Sequence, residues 1–274
     1  MDESRALLER IAAALERIAP PAPRRTDWQG SPAFRWDDGG AHPVARIDSL
    51  PLQTLRGVEE QKRALLENLT RLAEGAAAHD VLLWGARGMG KSALVRACIA
   101  ALEDERPGRI ALVQLAPGSL EGFAELLEQL ARQGRAFVLF IDDLGFGPEG
   151  RADMLALRSL LDGGIVPRPP HVRIAVTSNR RAIVRREEAE AGALHERDER
   201  DDALALADRF GLTLAFHPAD RETYLAILRG YTQPAGLAFD EEEALAFAIA
   251  RGNRSGRTAL QFATELAGRA GKRL

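Results

Sequence analysis

The sequence predicts an α/β fold in which a parallel sheet is sandwiched between helices and followed by a small C-terminal helical unit. Short apolar runs at 81–85, 109–115, 136–141 and 171–177 alternate with stretches whose apolar residues recur at helical spacing. That order builds β-α-β units, and such units pair their strands in parallel. The first run, Val81-Leu82-Leu83-Trp84, enters a glycine-rich loop. This suits a buried parallel strand whose carboxyl end faces a ligand.

At the N-terminus, Leu8, Ile11, Leu15 and Ile18 recur at steps of three and four, so residues 4–18 are expected to form an amphipathic helix with one apolar stripe. The stripe needs a partner, either its own domain or another copy, and it is too short to establish a coiled coil. The following stretch to about residue 47 opens with PPAP and is rich in Gly, Pro and Trp, so it reads as a linker or irregular arm. Residues 58–74 carry Leu65, Leu66, Leu69 and Leu72 on one helical side. Helices are then expected at 91–103, 119–133 and 151–162 between the apolar strands. Residues 185–202 are dense in Arg, Glu and Asp and read as a solvated helix or loop. A strand at 212–216 and helices near 218–230, 240–250 and 256–270 complete the chain. The expected organisation is an arm at 1–47, an α/β core at 48–216 and a helical lid subdomain at 217–274, with no internal repeat.

The bulk numbers fit a single large domain or two smaller ones. The 274 residues are 46% hydrophobic and 28% charged, far from disordered or membrane-embedded compositions. A net charge of -3 supplies no global field that would attract nucleic acid. No run is long enough to span a membrane and the N-terminus lacks a signal-peptide pattern, so a cytoplasmic location is expected. Cys98, the sole cysteine, lies in the apolar string LVRACIA and reads as a small buried hydrophobe.

The chemistry concentrates at the ends of the apolar strands. Gly85-Ala86-Arg87-Gly88-Met89-Gly90-Lys91-Ser92 follows a strand and opens a helix, with glycines where backbone must approach phosphate oxygens. Lys91 is placed to reach the β- and γ-phosphates of ATP, Ser92 to ligate Mg²⁺, and Ala93 to continue the phosphate-facing turn. Val138-Leu139-Phe140-Ile141 ends in Asp142 and Asp143. The first acid suits Mg²⁺ and the second suits orienting or deprotonating a water. Asn179 follows the strand at 171–177 and either contacts a γ-phosphate or the lytic water, or simply forms a turn. Arg209, between a helix and a strand, suits transition-state charge on a phosphoryl group, or else a surface ion pair. Arg254 and Arg257 open a predicted helix, where the dipole disfavours them unless an anion is near.

Taken in order, these elements resemble the AAA+ superfamily of ATPases over about residues 50–272. The resemblance implies that Gly85–Ser92 is Walker A, Phe140–Asp143 Walker B, Asn179 sensor 1, Arg209 the finger that completes a neighbouring subunit's site, and Arg257 sensor 2, with Arg254 as its substitute. By the same comparison, LRGVEEQKRAL at 55–65 places Gly57 and Val58 beside the adenine. More narrowly, GARGMGKS, FIDDLGF, LDGGIVPRP, VTSNRR, LADRFGL and NRSGRTALQF look like a bacterial family of predicted AAA+ ATPases catalogued only as a domain of unknown function. Two departures stand out. Asp143 replaces the superfamily's usual glutamate, which implies slow hydrolysis, and Ala116-Pro117-Gly118-Ser119 lacks the aromatic residue of polypeptide-threading loops.

The expected activity is ATP hydrolysis with Mg²⁺ in a homo-oligomer that assembles with ATP and remodels a macromolecular partner. The alternatives are a nucleic-acid-associated ATPase of helicase-loader or initiator type, a slow nucleotide-controlled switch, and a binding module that does not hydrolyse. For the nucleic-acid reading, Arg180, Arg181, Arg185, Arg186, Arg269, Lys272 and Arg273 are the candidate phosphate contacts.

Overall fold

In the computed structural model the described residues are 26–37, 40–116, 122–144, 151–163, 167–179 and 205–274. The helix expected at 4–18, the charged stretch at 185–202, residues 117–119 and the arginines at 180, 181, 185 and 186 lie outside them. Seven strands form one sheet in the order β2-β1-β4-β5-β6-β3-β7. They are β1 (Ala33–Asp37), β2 (Gly40–Val44), β3 (Val81–Gly85), β4 (Ile110–Leu115), β5 (Ala136–Ile141), β6 (Val172–Ser178) and β7 (Leu212–Phe216). Among the described residues only β1 and β2 pair antiparallel.

Why the sheet is buried on both faces follows from the period of two along a strand. Val81, Leu83, Leu112, Val138, Phe140 and Leu214 point to one face, beneath helices α1 (Glu59–Ala73) and α2 (Lys91–Glu105). Leu82, Val113, Phe137, Leu139, Ile174 and Val176 point to the other, beneath α3 (Phe123–Ala131) and α4 (Arg151–Leu161). Strands apolar on both faces are what a parallel sheet covered by helices requires. Cys98 is fully buried on α2, as its apolar setting predicts.

The arm departs from its expected irregularity. Strands β1 and β2 pair antiparallel as a hairpin, and β1 adds to the sheet parallel to β4 with Ala33 opposite Leu112. The physical reason is the alternation Phe34-Arg35-Trp36, which buries Phe34 and Trp36 and exposes Arg35. Trp28 packs edge-on against Phe137 at 5.7 Å and tilted against Phe34 at 4.6 Å. Arg135, itself buried, fixes the segment by donating to the carbonyls of Trp28 (3.0 Å), Ser31 (3.0 Å) and Ile110 (2.6 Å). Part of the stretch assigned to a linker therefore belongs to the sheet.

The C-terminal helices are α5 (Arg221–Thr232), α6 (Glu241–Ala250) and α7 (Gly256–Arg269). Each has a side-chain N-cap: Asp220 accepts from Thr223 N–H, Asp240 from Glu243 N–H and Ser255 from Thr258 N–H. Tyr224, Leu228, Ala244, Ala259 and Phe262 join the core that lies under α1 and α2, so this unit packs over one end of the sheet. No described helix is long and apolar enough to cross a membrane.

Candidate functional site

The sheet order places β3 between β6 and β7, so the loop leaving β3 is flanked by the ends of both. Gly85 lies against β7: a Cβ there would sit 2.2 Å from the Phe216 carbonyl oxygen, and the next amide, Ala86 N–H, donates to that oxygen at 2.7 Å. Only glycine permits this approach, at φ +120°. The loop ends at Gly90, and α2 begins at Lys91. The first-turn amides of α2 have no helical acceptor and face the loop, an arrangement suited to an anion.

Lys91 is buried, and its Nζ donates to the carbonyls of Gly85 (3.0 Å) and Ala86 (2.9 Å) and to Asn179 Oδ1 (2.8 Å). Burial lowers its pKa, opposed by the nearby carboxylates of Asp143 and Asp142. All three ammonium donors are thus held by neutral oxygens, and reaching a phosphate means exchanging some of them.

The acids arrive from β5. Asp142 Oδ1 accepts from Ser92 Oγ at 2.5 Å and from Thr177 Oγ1 at 2.7 Å. Asp143 Oδ1 accepts from Asn179 Nδ2 at 2.5 Å. Asp142 Oδ2 has no hydrogen bond from a described residue, and the Ser92 oxygen keeps its lone pairs. Hard oxygen donors beside a phosphate loop are what Mg²⁺ selects, and Ser92 and Asp142 therefore fit the ion. No described cluster of three His, Cys, Asp or Glu residues competes as a metal site.

A cleft of about 520 Å³ joins these groups to an apolar end lined by Leu50, Leu55, Val58, Ile227 and Tyr231. Burial raises the pKa of the Tyr231 hydroxyl. Arg87, Gly88, Met89, Gly90, Ala93 and Arg257 also line the cleft, whereas Gly57 does not. Gly57 sits at φ +76° against Thr223 of α5 and shapes the turn that presents Val58. Arg257 opens α7, and its N–H donates to the Gly88 carbonyl at 3.1 Å, so the helical unit touches the phosphate loop directly. Arg254 lines the adjoining cleft of about 920 Å³ together with Arg87, Arg251 and Arg257.

Arg209 lies outside the lining of both clefts. Its Nε and Nη2 donate to the two carboxylate oxygens of Asp162, the latter at 3.0 Å, and Nη1 donates to the Ala205 carbonyl. The hydrogen bond to Asp162 raises the Arg209 pKa and lowers that of Asp162.

The structure thus brings together Lys91, Ser92, Asp142, Asp143, Asn179, Val58 and Arg257, and leaves Arg209 apart. Sequence reasoning missed Thr177 as a member of the site, together with Leu55, Ile227 and Tyr231. Thr177 was visible only as a polar residue ending an apolar strand two positions before Asn179. The others need the helical unit in place to be recognised.

The model of the family described as Protein of unknown function (DUF815) matches residues 29–270. No curated protein matches the chain. Among solved structures, the Aeropyrum pernix ORC1 protein in complex with DNA is similar at a TM-score of 0.57 and 17% identity, over 79% of this chain and 61% of that one. A Thermotoga maritima RuvB variant is similar at 0.52 and 17%, over 81% of this chain and 66% of that one. Another RuvB variant from that organism reaches 0.53 and 18%, over 81% and 67%. The likeness establishes the fold, that of AAA+ ATPases, and the resemblance read from the motifs is borne out at that level.

Proposed function

The chain belongs to the family described as Protein of unknown function (DUF815), and from the site set out above we propose that it binds ATP and hydrolyses it with Mg²⁺. The observation that carries this reading is one constellation. Lys91, Ser92, Asp142, Asp143 and Asn179 come from three elements and join through hydrogen bonds of 2.5–2.8 Å at the mouth of a glycine loop. The base enters the apolar end between Val58, Leu55 and Tyr231, and the triphosphate lies along the loop amides and the α2 N-terminus. When bound, Mg²⁺ neutralises phosphate charge and orients the γ-phosphate. Ser92 and Asp142 would hold the ion, Lys91 would exchange loop carbonyls for phosphate oxygens, and Arg257 would approach from the helical unit. Asp143, with Asn179 on its carboxylate, aligns the attacking water and takes its proton.

Arg209 supports action between subunits, because it lies outside the lining of its own chain's clefts; there it would exchange Asp162 for the neighbour's phosphate. We propose a homo-oligomer in which Arg209 of one copy completes the site of the next and hydrolysis remodels a macromolecular client. The domain roles follow: a core from the hairpin to β7, and a lid from 217 onward. Ionic engagement weakens the nucleic-acid alternative at the C-terminus. Arg269 already binds Glu243 (2.6 Å) and Glu265 (3.0 Å), and Lys272 binds the carbonyls of Ala235 and Gly236. The slow-switch alternative draws on Asp143, whose carboxylate is occupied by Asn179.

The test is sizing with and without ATP, with phosphate release measured on the same samples of wild type and Lys91→Ala. Mg²⁺-dependent release that disappears in Lys91→Ala supports the reading, and equal release from both refutes it.

A further inference from the structure

Thr177 ties the two acids together with one hydroxyl. It is 1% exposed at the end of β6. Its Oγ1 donates to Asp142 Oδ1 at 2.7 Å and accepts the Asp143 N–H at 2.8 Å. Its carbonyl accepts the Leu144 N–H at 2.9 Å, so β6 grips the chain on both sides of Asp143. Between these bonds Asp143 stands at φ +58°, the sole non-glycine residue at positive φ among the described residues. Side chains other than Asn and Asp adopt that region reluctantly, and such outliers persist where the surroundings over-determine them.

The donor on Asp142 matters most when the metal site is filled. Asp142 Oδ1 accepts from both Ser92 and Thr177. Ser92 is the residue assigned to the ion, so Thr177 is the tie that still orients Asp142 once Ser92 turns to the metal. A hydroxyl that accepts one hydrogen bond donates a stronger one, which makes the two bonds cooperative. Moving Thr177 therefore moves the metal-side carboxylate and the water-side backbone together.

We propose that Thr177 is a positioning residue that sets metal affinity and water orientation through this double hydrogen bond, and that the left-handed turn it holds selects aspartate over glutamate at position 143. The proposal rests on the ATPase reading above. On this view the shorter acid is not a weakened glutamate, because backbone rotation at Asp143 re-aims the carboxylate that the missing methylene would otherwise extend.

The test uses the full chain as wild type, Thr177→Val, Thr177→Ser and Asp143→Glu. Fluorescent ADP affinity is measured with and without Mg²⁺, turnover is measured against Mg²⁺ concentration, and each variant is assayed well below its own melting temperature. Thr177→Val keeps the branched shape and removes the hydroxyl. Its expected signature is ADP affinity within about twofold of wild type without Mg²⁺, a half-maximal Mg²⁺ concentration raised about tenfold, and turnover lowered on the order of a hundredfold. Thr177→Ser is expected to restore both within about threefold, and Asp143→Glu to turn over no faster than wild type. A Thr177→Val protein with wild-type Mg²⁺ dependence, a Thr177→Ser protein that fails to recover it, or a faster Asp143→Glu overturns the proposal while the ATPase reading stands. Absence of ADP affinity in the wild type overturns both.

Discussion

Gly256→Ala tests whether the helical unit controls the phosphate loop by contact. Gly256 opens α7 at ordinary φ, so alanine suits its backbone and would favour the helix by up to ~1 kcal/mol. Opposing this, the new Cβ would lie 3.0 Å from the Gly88 carbonyl oxygen, where ordinary contact begins at 3.4 Å. Relief requires a separation of about 0.4 Å, the difference of those two distances. That same carbonyl accepts the Arg257 N–H at 3.1 Å, and a bond lengthened by that much passes out of hydrogen-bonding range. Losing it costs about 1 kcal/mol, which nearly cancels the helical gain. Stability should change by less than ~1 kcal/mol, while Arg257 and the loop move apart. A hydrogen bond to a charged group is worth about 1.5 kcal/mol, so moving Arg257 away from a bound phosphate should lower nucleotide affinity on the order of tenfold. Fluorescent-nucleotide titration and thermal melting on one preparation measure both quantities. Gly268→Ala on the same helix, where a Cβ meets nothing within 4 Å, is the control that changes helix propensity alone. Unchanged affinity in Gly256→Ala, or an equal loss in Gly268→Ala, would refute the coupling.

Four further outcomes are expected. Arg209→Ala should keep ATP affinity and lose turnover about a thousandfold, with wild-type turnover rising with protein concentration; steady-state assays over a dilution series decide it, and concentration-independent turnover rejects action between subunits. Arg135→Met removes the donors from the Trp28, Ser31 and Ile110 carbonyls and takes the guanidinium from Glu103, which keeps the Gly108 N–H, so it should destabilise the fold by about 3 kcal/mol and expose the hairpin to limited proteolysis. Burial pushes the Cys98 thiol up to about 12, so iodoacetamide at pH 8 should label it only after denaturation, and native labelling would contradict its place in the core. The Thr223 backbone N–H holds the Asp220 carboxyl below its ordinary value of 3.8, so this cap stabilises the fold above that value and is lost as pH falls through the lower folded value. Asp220→Asn keeps an N-cap without a titrating group, and its melting temperature should drop less than that of wild type between pH 6 and pH 3.

The strands and helices were legible because their periods differ and each apolar run ended at a polar site. Val138–Ile141 could only be a buried strand, and its last residue had to deliver Asp142 to the carboxyl edge. The hairpin was obscured by its flanks. Gly and Pro around Trp28–Val44 suggest irregularity, although Phe34-Arg35-Trp36 alternates and the sequence carries an Asp-Gly dipeptide just after it, a strong hairpin signal. Thr177 carried no comparable signal, since threonine is an ordinary strand residue and its role lies in what β5 places beside it. The approach of Gly88 to Gly256 was likewise invisible, because it joins residues 168 positions apart through packing alone. At Asp143, sequence reasoning saw a short side chain, whereas its left-handed backbone angle is a property of the folded turn.

The hairpin and the site also lie on opposite sides of the sheet order, and that separation has a consequence. β3, with the phosphate loop, is next to the edge strand β7, while β1 and β2 extend the other edge beyond β4. Without the hairpin, β4 would expose its ladder to pairing by another chain. With it, the outermost strand is β2, five residues long, largely exposed and interrupted by Pro43, which cannot donate to a ladder. The hairpin therefore closes one route to uncontrolled strand addition. In the homo-oligomer proposed above, the neighbour would instead be specified by Arg209, an arginine held by the Asp162 carboxylate, rather than by a row of open amides.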